Sequence, residues 1–306
     1  MPEPGAHVTA EIASQPEVWT RAADLAHESA AVLPQPGERV AVVGCGTSAF
    51  IAQAYAAYRE AAGQGVTDAF VASEFPADPA GRGYDRLLAI TRSGTTTEVL
   101  DLLGQLHGAQ RTLAVVGAPD TPGASAADDV LLMPFADEQS VVQTRFATST
   151  LALLRAGLGQ DLAPVIGQAR SALEAALPAG FAETEQFVFL GRGPGVGLAN
   201  EAALKMRESA LAWAESYPAM DYRHGPISLA EPHSLVWLLT EPPTGLVEQI
   251  TATGARVQIS ERDPMAELVL AQRTAVALAL HRGLDPDTPR NLTRSIVLTD
   301  ASTNGA

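Results

Sequence analysis

Three ionisable side chains lie close together in a predicted helix of the second half of the chain. Glu201, Lys205 and Glu208 are spaced i, i+4 and i+7 and therefore share one helix face. A carboxylate on such a face can act as a general base, and Lys205, the only lysine, is the only candidate for a Schiff-base amine. The spacing by itself favours a simpler alternative, a solvated helix face with an ion pair.

A histidine follows this helix. His224 precedes Gly225 and Pro226, a dipeptide that predicts a loop. An imidazole and a carboxylate beside a ligand-binding crevice can serve as an acid and base pair. A lone histidine is more commonly a structural residue, so the sequence leaves both roles open for His224.

A hydroxyl-rich loop lies in the first half of the chain. The segment TRSGTTTEVL has five hydroxyls in seven residues between a predicted strand and a predicted helix: Thr91, Ser93, Thr95, Thr96 and Thr97. Free N–H groups and the dipole of a helix N-terminus attract an anion, and hydroxyls add donors. One hydroxyl would suffice as a helix cap, so the excess favours a phosphate site over capping alone. The corresponding loop of the second half contains Pro242 and Pro243, which lack N–H groups.

A glycine turn, GCGTS, precedes another predicted helix. Gly44 and Gly46 allow a sharp turn and close approach of a ligand, while Thr47 and Ser48 face the same strand-end crevice as the hydroxyl-rich loop. The chain's only cysteine, Cys45, lies in this turn. No base or cation is evident beside it, so we expect a buried, inert thiol.

The glycine turn occurs twice along the chain. Residues 39–60 and 187–208 both read as a buried strand, a tight turn and a helix, with Gly44 and Gly46 matched 147 residues later by Gly191 and Gly193. Apolar strands then alternate with helices of about ten to twelve residues in both copies, which is typical of a parallel sheet covered on both faces. The sequence therefore predicts an α/β fold with two doubly wound parallel-sheet subdomains that bind ligands at the carboxyl ends of their strands.

Three segments are predicted. Residues 1–30 form an N-terminal helical segment with a helix over Thr9 to Leu25, residues 31–178 a first, phosphate-binding domain, and residues 179–306 a second domain with the catalytic helix and the C-terminal tail. The boundary is expected near Leu177 to Phe181, where LPAGF interrupts the pattern. The catalytic helix is predicted to run from Ala199 to Tyr217.

Composition narrows the function classes. The chain has 306 residues and a formal net charge of −15, which argues against nucleic acid or an acidic membrane surface as a partner but permits a local anion site. One cysteine and no zinc-like spacing predict neither a disulfide nor a metal. The N-terminus has no signal-peptide pattern and no long apolar run occurs, so we expect a cytoplasmic protein without a membrane span.

Eight motifs in order resemble the sugar isomerase (SIS) domain, in the tandem form found in the isomerase half of glucosamine-6-phosphate synthase. They are EIASQP (11–16), GCGTS (44–48), TRSGTTTE (91–98), EQSVVQTR (138–145), LGRG (190–193), EAALKMRE (201–208), YRHGP (222–226) and DTPRNLTRS (287–295). The resemblance implies two flavodoxin-like subdomains and no cofactor or metal. We expect no glutaminase domain before them, so ammonia from glutamine is not implied.

The resemblance also implies roles for particular residues. The sugar 6-phosphate would be bound by Ser48, Thr91, Ser93 and Thr96, with Arg92 where the synthase usually has glutamine. Glu208 would be the catalytic base with Lys205 beside it. His224 would serve ring opening or proton transfer in the active site of a neighbouring subunit, which implies a homodimer. The predicted substrate-binding set also includes Gly46, Thr47, Val141 and Gln143.

Two departures from the family pattern bear on the reaction. The synthase has a lysine in its C-terminal motif, used on the carbonyl of the open-chain ketose, and this chain has Arg294, which stays protonated and cannot form a Schiff base. Amination of fructose 6-phosphate is therefore not expected, and Arg294 either stabilises an enolate oxygen or anchors the C-terminal tail. Gln143 occupies a position that usually has a small hydroxyl residue, which alters the sugar pocket.

The expected chemistry begins with removal of the C2 proton of an amino-sugar 6-phosphate by Glu208. Three outcomes then diverge: isomerisation, loss of nitrogen by deamination or deglycation of a fructosamine 6-phosphate, and dehydration of an N-acetylated sugar. The missing lysine favours a lyase acting on N-acetylglucosamine 6-phosphate, with glucosamine-6-phosphate isomerase/deaminase or fructosamine-6-phosphate deglycase as the alternatives. A non-catalytic sugar-phosphate sensor is the hypothesis from a different class. The retained Glu208 and His224 motifs favour an enzyme.

Overall fold

The computed structural model describes residues 3–76 and 82–298. Within these ranges the helices are α1 (Ala6–Ala13), α2 (Gln15–Glu28), α3 (Thr47–Ala61), α4 (Thr97–Leu106), α5 (Arg145–Gly157), α6 (Ala163–Glu174), α7 (Pro194–Ala210), α8 (Leu246–Ala252) and α9 (Pro264–His281). The strands are β1 (Val40–Gly44), β2 (Thr67–Val71), β3 (Arg86–Thr91), β4 (Arg111–Val116), β5 (Asp129–Leu132), β6 (Gln186–Gly191), β7 (Trp213–Pro218), β8 (Ser234–Leu238) and β9 (Arg256–Ile259).

The strands form two parallel sheets. The first has the order β2-β1-β3-β4-β5 and the second the order β7-β6-β8-β9. The central strands are buried along their whole length, which explains why their sequences are apolar without alternation. In both sheets the strand order reverses beside the first strand of the copy, at β1 and at β6, as in flavodoxin-like folds. The predicted α/β fold with two doubly wound parallel sheets is confirmed.

Successive side chains of each strand point to opposite faces of the sheet and pack in different hydrophobic cores. One face of both sheets, represented by Val42 and Phe189, packs into a shared core with α2, α3, α5, α6, α7 and α9. The opposite face of the first sheet is covered by α4, and that of the second sheet by α8. The shared helical layer therefore joins the two halves and fixes their strand ends relative to each other.

The internal repeat is reproduced in the backbone. Gly46 has φ 54° and ψ −124°, and Gly193 has φ 52° and ψ −127°, a conformation that residues with a Cβ rarely adopt. The helices that follow these turns, α3 and α7, cross at close range. A Cβ on Gly197 would lie 2.5 Å from the Phe50 carbonyl oxygen, so glycine is required for this crossing.

Two helix predictions are wrong: one predicted helix is interrupted, and the other ends earlier than expected. The predicted helix over Thr9 to Leu25 is two helices, because Pro16 has no N–H to continue the ladder, and the Gln15 side chain donates to the Ile12 carbonyl instead. The helix predicted to run from Ala199 to Tyr217 ends at Ala210. Leu211 adopts the left-handed conformation (φ 52°), and the chain continues as strand β7.

The described residues contain no helix that combines the length and the apolar character needed to cross a membrane. The predicted domain boundary falls in the irregular segment between α6 and β6, and the exact domain limits stay a prediction.

Candidate active site

A cavity of about 200 Å³ lies at the carboxyl ends of β1 and β3, the point where the strand order of the first sheet reverses. This is where ligands bind in doubly wound folds. Its walls come from both halves of the chain and from the C-terminal segment: Cys45, Gly46, Thr47, Ser48, Ile90, Thr91, Arg92, Ser93, Thr96, Val99, Val141, Gln143, Glu208, Leu292, Thr293, Arg294, Ser295 and Ile296.

The glycine turn supplies two buried hydroxyls at the start of α3. The Thr47 hydroxyl accepts a hydrogen bond from Lys205 Nζ at 2.9 Å and is therefore tied to the second half of the chain. The Ser48 hydroxyl lies 3.5 Å from Gln143 Oε1 and lines the cavity. Ser48 is thus the hydroxyl of this turn that is available to a ligand.

The five hydroxyls of the 91–97 loop have different partners. Thr91 Oγ1 accepts from the Gly94 N–H within the loop, Thr95 Oγ1 lies 2.8 Å from Ser295 Oγ, and Thr97 Oγ1 accepts from the Leu298 N–H. Ser93 and Thr96 face the cavity with their oxygens 3.4 Å apart. Part of the hydroxyl excess therefore binds the C-terminal segment, and Ser93, Thr96 and Ser48 remain as the hydroxyl cradle.

A buried ion network connects the cradle to α7. Lys205 Nζ is 1% exposed and lies 2.5 Å from Glu208 Oε2 and 3.3 Å from Glu201 Oε1. Glu208 is 21% exposed and reaches the cavity wall, whereas Glu201 is fully buried. The ion pair of Glu201 and Lys205 expected from the spacing is present, but it is buried, so a solvated helix face is incorrect for these two residues.

Burial and charge shift the pKa values of Glu201 and Lys205. Burial raises the pKa of Glu201 to about 7, against the opposing effect of Lys205. Burial alone would lower the pKa of Lys205, but the carboxylates of Glu201 and Glu208 outweigh burial and raise it. Lys205 is therefore an ammonium donor and not a Schiff-base amine at neutral pH. Glu208 keeps one carboxylate edge toward the cavity.

Cys45 is half-buried, not fully buried as expected from the sequence. Burial, with a contribution from the charge of Glu98, raises the pKa of its thiol to about 11. The thiol is then protonated at neutral pH and inert.

Both predicted arginines hold protein groups. Arg92 is buried and donates to the carbonyls of Ser140, Val141 and Arg294. The Arg294 guanidinium donates to the Asp137 carboxylate and the Glu138 carbonyl. Of the two roles considered for Arg294, the contacts support the anchor of the C-terminal segment. A direct contact of either arginine with substrate stays a prediction.

The structure brings together all but one of the predicted site residues. Gly46, Thr47, Ser48, Thr91, Arg92, Ser93, Thr96, Val141, Gln143, Glu208 and Arg294 line the cavity, and Lys205 lies directly behind Glu208. His224 is exposed and is not among the lining residues. Thr293 and Ser295 also line the cavity and are not among the predicted site residues, although the DTPRNLTRS motif contains both.

The fold and the cavity define a doubly wound α/β protein with a hydroxyl-lined cavity at the strand ends of its first sheet. Residues 35–158 match the family model described as the SIS domain, and this range contains the first sheet and all three residues of the hydroxyl cradle. The predicted resemblance to SIS proteins and to the isomerase part of the synthase is confirmed by this match together with the relatives described below.

Two relatives are glutamine–fructose-6-phosphate aminotransferases (isomerizing). The protein of Methanothermobacter thermautotrophicus is 29% identical over 307 residues, covering 85% of this chain and 52% of that protein. That of Bacillus subtilis is 26% identical over 309 residues, with the same coverage. The chain spans about half the length of the curated relatives it matches.

A solved structure matches over its full length. Glucosamine-6-phosphate deaminase from Thermotoga maritima superposes with a TM-score of 0.77 at 26% identity, covering 94% of this chain and 99% of that one.

Proposed function

We propose that the protein is a phosphosugar enzyme of the SIS type that removes the C2 proton of an open-chain amino-sugar 6-phosphate. The observation that carries the proposal is one cavity that holds the hydroxyl cradle of the first half and the Glu208 carboxylate of the second. The names of the similar proteins, which act on phosphosugars, agree with this substrate class.

The phosphate would bind in the hydroxyl cradle. Ser48, Ser93 and Thr96 offer hydroxyl donors, and the N-termini of α3 and α4 offer a favourable dipole. These local donors act at contact distance, so the net charge of −15 does not prevent anion binding.

Glu208 would act as the base. In the open-chain aldose the C1 carbonyl acidifies the C2–H bond, so Glu208 can accept this proton while the electron pair forms the C1–C2 double bond and the charge moves to the carbonyl oxygen. Lys205, whose pKa is raised by the neighbouring carboxylates, lies 2.5 Å from Glu208 Oε2 and fixes the position of this carboxylate. A proton from water neutralises the enolate oxygen, and return of the C2 proton to C1 then gives a 2-imine, which water converts to fructose 6-phosphate and ammonia.

Two outcomes are candidates for the complete reaction. Deamination of glucosamine 6-phosphate is favoured by the full-length match to a deaminase. Dehydration of N-acetylglucosamine 6-phosphate, in which the same enolate expels the C3 hydroxyl, was preferred from the sequence because Arg294 replaces the family lysine. The fixed position of Arg294 is compatible with both outcomes, so the proposal ranks deamination first and the lyase second.

A second copy of the chain would complete the site. His224 is exposed and lies outside the cavity of its own chain. Met220 and Leu229, which flank it in sequence, are 51% and 55% exposed, an apolar surface that a homodimer would cover. In such a dimer His224 would protonate or deprotonate the sugar ring oxygen in the neighbouring cavity.

The test of the reaction is incubation with hexosamine, N-acetylhexosamine and fructosamine 6-phosphates in heavy water. Deuterium at C2 of recovered aldose, with fructose 6-phosphate and ammonia as products, supports deamination. An unsaturated N-acetyl sugar phosphate supports the lyase. Binding of several sugars without exchange would contradict an enzyme and favour the sensor.

The test of the shared site is complementation between two inactive variants. Glu208→Gln and His224→Asn homodimers should each be inactive. Subunits mixed in equal amounts and allowed to exchange should regain about a quarter of wild-type activity, because half the dimers are mixed and each has one intact site. Absence of any recovery, with exchange of subunits demonstrated, would contradict a lent His224.

A further inference from the structure

The wall of the cavity includes a segment without regular secondary structure between β5 and α5. This wall segment, residues 137–143, presents Val141 and Gln143 to the cavity. Its carbonyls at Ser140 and Val141 also hold the buried Arg92 guanidinium. Its conformation therefore decides the position of the sugar-facing side chains and of Arg92.

The wall segment is held by a carboxylate from the N-terminal helix. Glu11, on α1, is 4% exposed. Its Oε1 accepts the N–H groups of Gln139 at 2.5 Å and Ser140 at 3.3 Å, and its Oε2 accepts the Ser140 hydroxyl. Without Glu11 the buried Ser140 N–H and the partly buried Gln139 N–H would lack this partner, at a cost that favours rearrangement of the segment.

The helix that carries Glu11 is fixed in turn by the C-terminal segment. The Asp287 carboxylate accepts the N–H groups of His7 at 3.0 Å and Val8 at 2.7 Å, at the N-terminus of α1 where a negative charge is favourable. The Asp287 carbonyl accepts the Val141 N–H at 3.0 Å. Helix α1, the wall segment and Asp287 thus form a closed ring of hydrogen bonds.

Glu11 does not line the cavity, and the ring does not include the hydroxyl cradle. We propose that Glu11 is a positioning residue: through Gln139 and Ser140 it sets the sugar-facing wall without touching the substrate. The inference rests on the proposed sugar-phosphate site. Loss of Glu11 should weaken recognition of the sugar and leave the phosphate cradle intact.

The experiment compares two ligands by calorimetry on the full chain. Glu11→Ala should bind glucosamine 6-phosphate at least about tenfold more weakly than wild type, because several charge-assisted hydrogen bonds to the wall are lost, and inorganic phosphate within about twofold of it. A role confined to overall stability would lower the melting temperature without changing the ratio of the two affinities.

Control variants keep this test decisive. Glu17→Ala removes an exposed glutamate from neighbouring α2 and should change neither affinity. Glu11→Gln keeps one acceptor oxygen, so its ratio of glucosamine 6-phosphate affinity to phosphate affinity should lie between those of wild type and Glu11→Ala. If Glu11→Ala does not fold, Ser140→Ala replaces it, and its ratio should be lower than that of wild type. An unchanged ratio in the folded variants would overturn the positioning role. Failure of wild type to bind any sugar phosphate would instead refute the proposed function.

Discussion

The fully buried carboxylate of Glu201 makes stability depend on pH in a direction that can be worked out. Its ordinary pKa is 4.5, and burial raises it to about 7 in the folded chain. Between these values the folded state holds a proton that the unfolded state has released. Stability from this group is therefore lost as the pH rises through the window, by about 3 kcal/mol over the whole range.

Glu201→Gln removes this penalty while keeping the shape of the side chain. At pH 5.5 Glu201 is protonated in the folded wild type, so most of the destabilisation that comes from ionising this buried side chain has not yet developed. By pH 8 the difference should have moved in favour of the variant by about 2 kcal/mol, because only wild type must ionise a buried carboxylate. Urea unfolding followed by circular dichroism at both pH values measures this difference directly.

The matched control is another fully buried glutamate with good partners. Glu267 accepts hydrogen bonds from Trp237 Nε1 at 2.9 Å and Arg262 at 2.8 Å, whereas Glu201 Oε1 lies 3.3 Å from Lys205 Nζ, which is closer to Glu208 at 2.5 Å. Glu267→Gln should be destabilising at both pH values. If Glu201→Gln were destabilising by the same amount at pH 5.5 and pH 8, Glu201 would be charged at both pH values as a partner of Lys205. The raised pKa of Glu201 would then be refuted.

The remaining predictions concern the helix crossing, the thiol and the C-terminal segment. Gly197→Ala should lower the free energy of unfolding by about 1–3 kcal/mol because α3 and α7 must separate, whereas Gly167→Ala in α6, where a Cβ meets nothing within 4 Å, should not be destabilising. Cys45, whose thiol pKa is raised to about 11, should react with iodoacetamide at pH 7.5 at least about tenfold more slowly than in urea-unfolded protein; equal rates would contradict its burial. Asp137→Asn should loosen the anchor of the C-terminal segment and speed hydrogen exchange at the Leu298 N–H, which is bonded to α4; unchanged exchange would show that the anchor lies elsewhere.

The parts of the fold that the sequence could predict are those encoded locally. The apolar runs and the paired glycines at 44, 46, 191 and 193 specify two strand–turn–helix units, because only glycine readily adopts the backbone of the Gly46 and Gly193 turns. From these units followed the parallel sheets, the strand-end crevice and most of the residues that line it.

Contacts distant in sequence account for what was missed. The Thr95 and Thr97 hydroxyls contact residues about two hundred positions away, so a count of hydroxyls in the loop overestimates the donors available to a phosphate. The end of the catalytic helix depends on a left-handed Leu211, which carries no glycine signal. No element was assigned to 264–281, where α9 is apolar on most sides because it packs in the core shared by both halves.

The central claim is that one cavity places a sugar phosphate between the hydroxyl cradle and Glu208. A crystal structure with glucosamine 6-phosphate bound tests it most directly. The account predicts phosphate oxygens within about 3 Å of the Ser48 and Ser93 hydroxyls, and C2 within about 3.5 Å of a Glu208 carboxylate oxygen. A phosphate bound outside this cavity, or a Glu208 carboxylate turned away from C2, would contradict it.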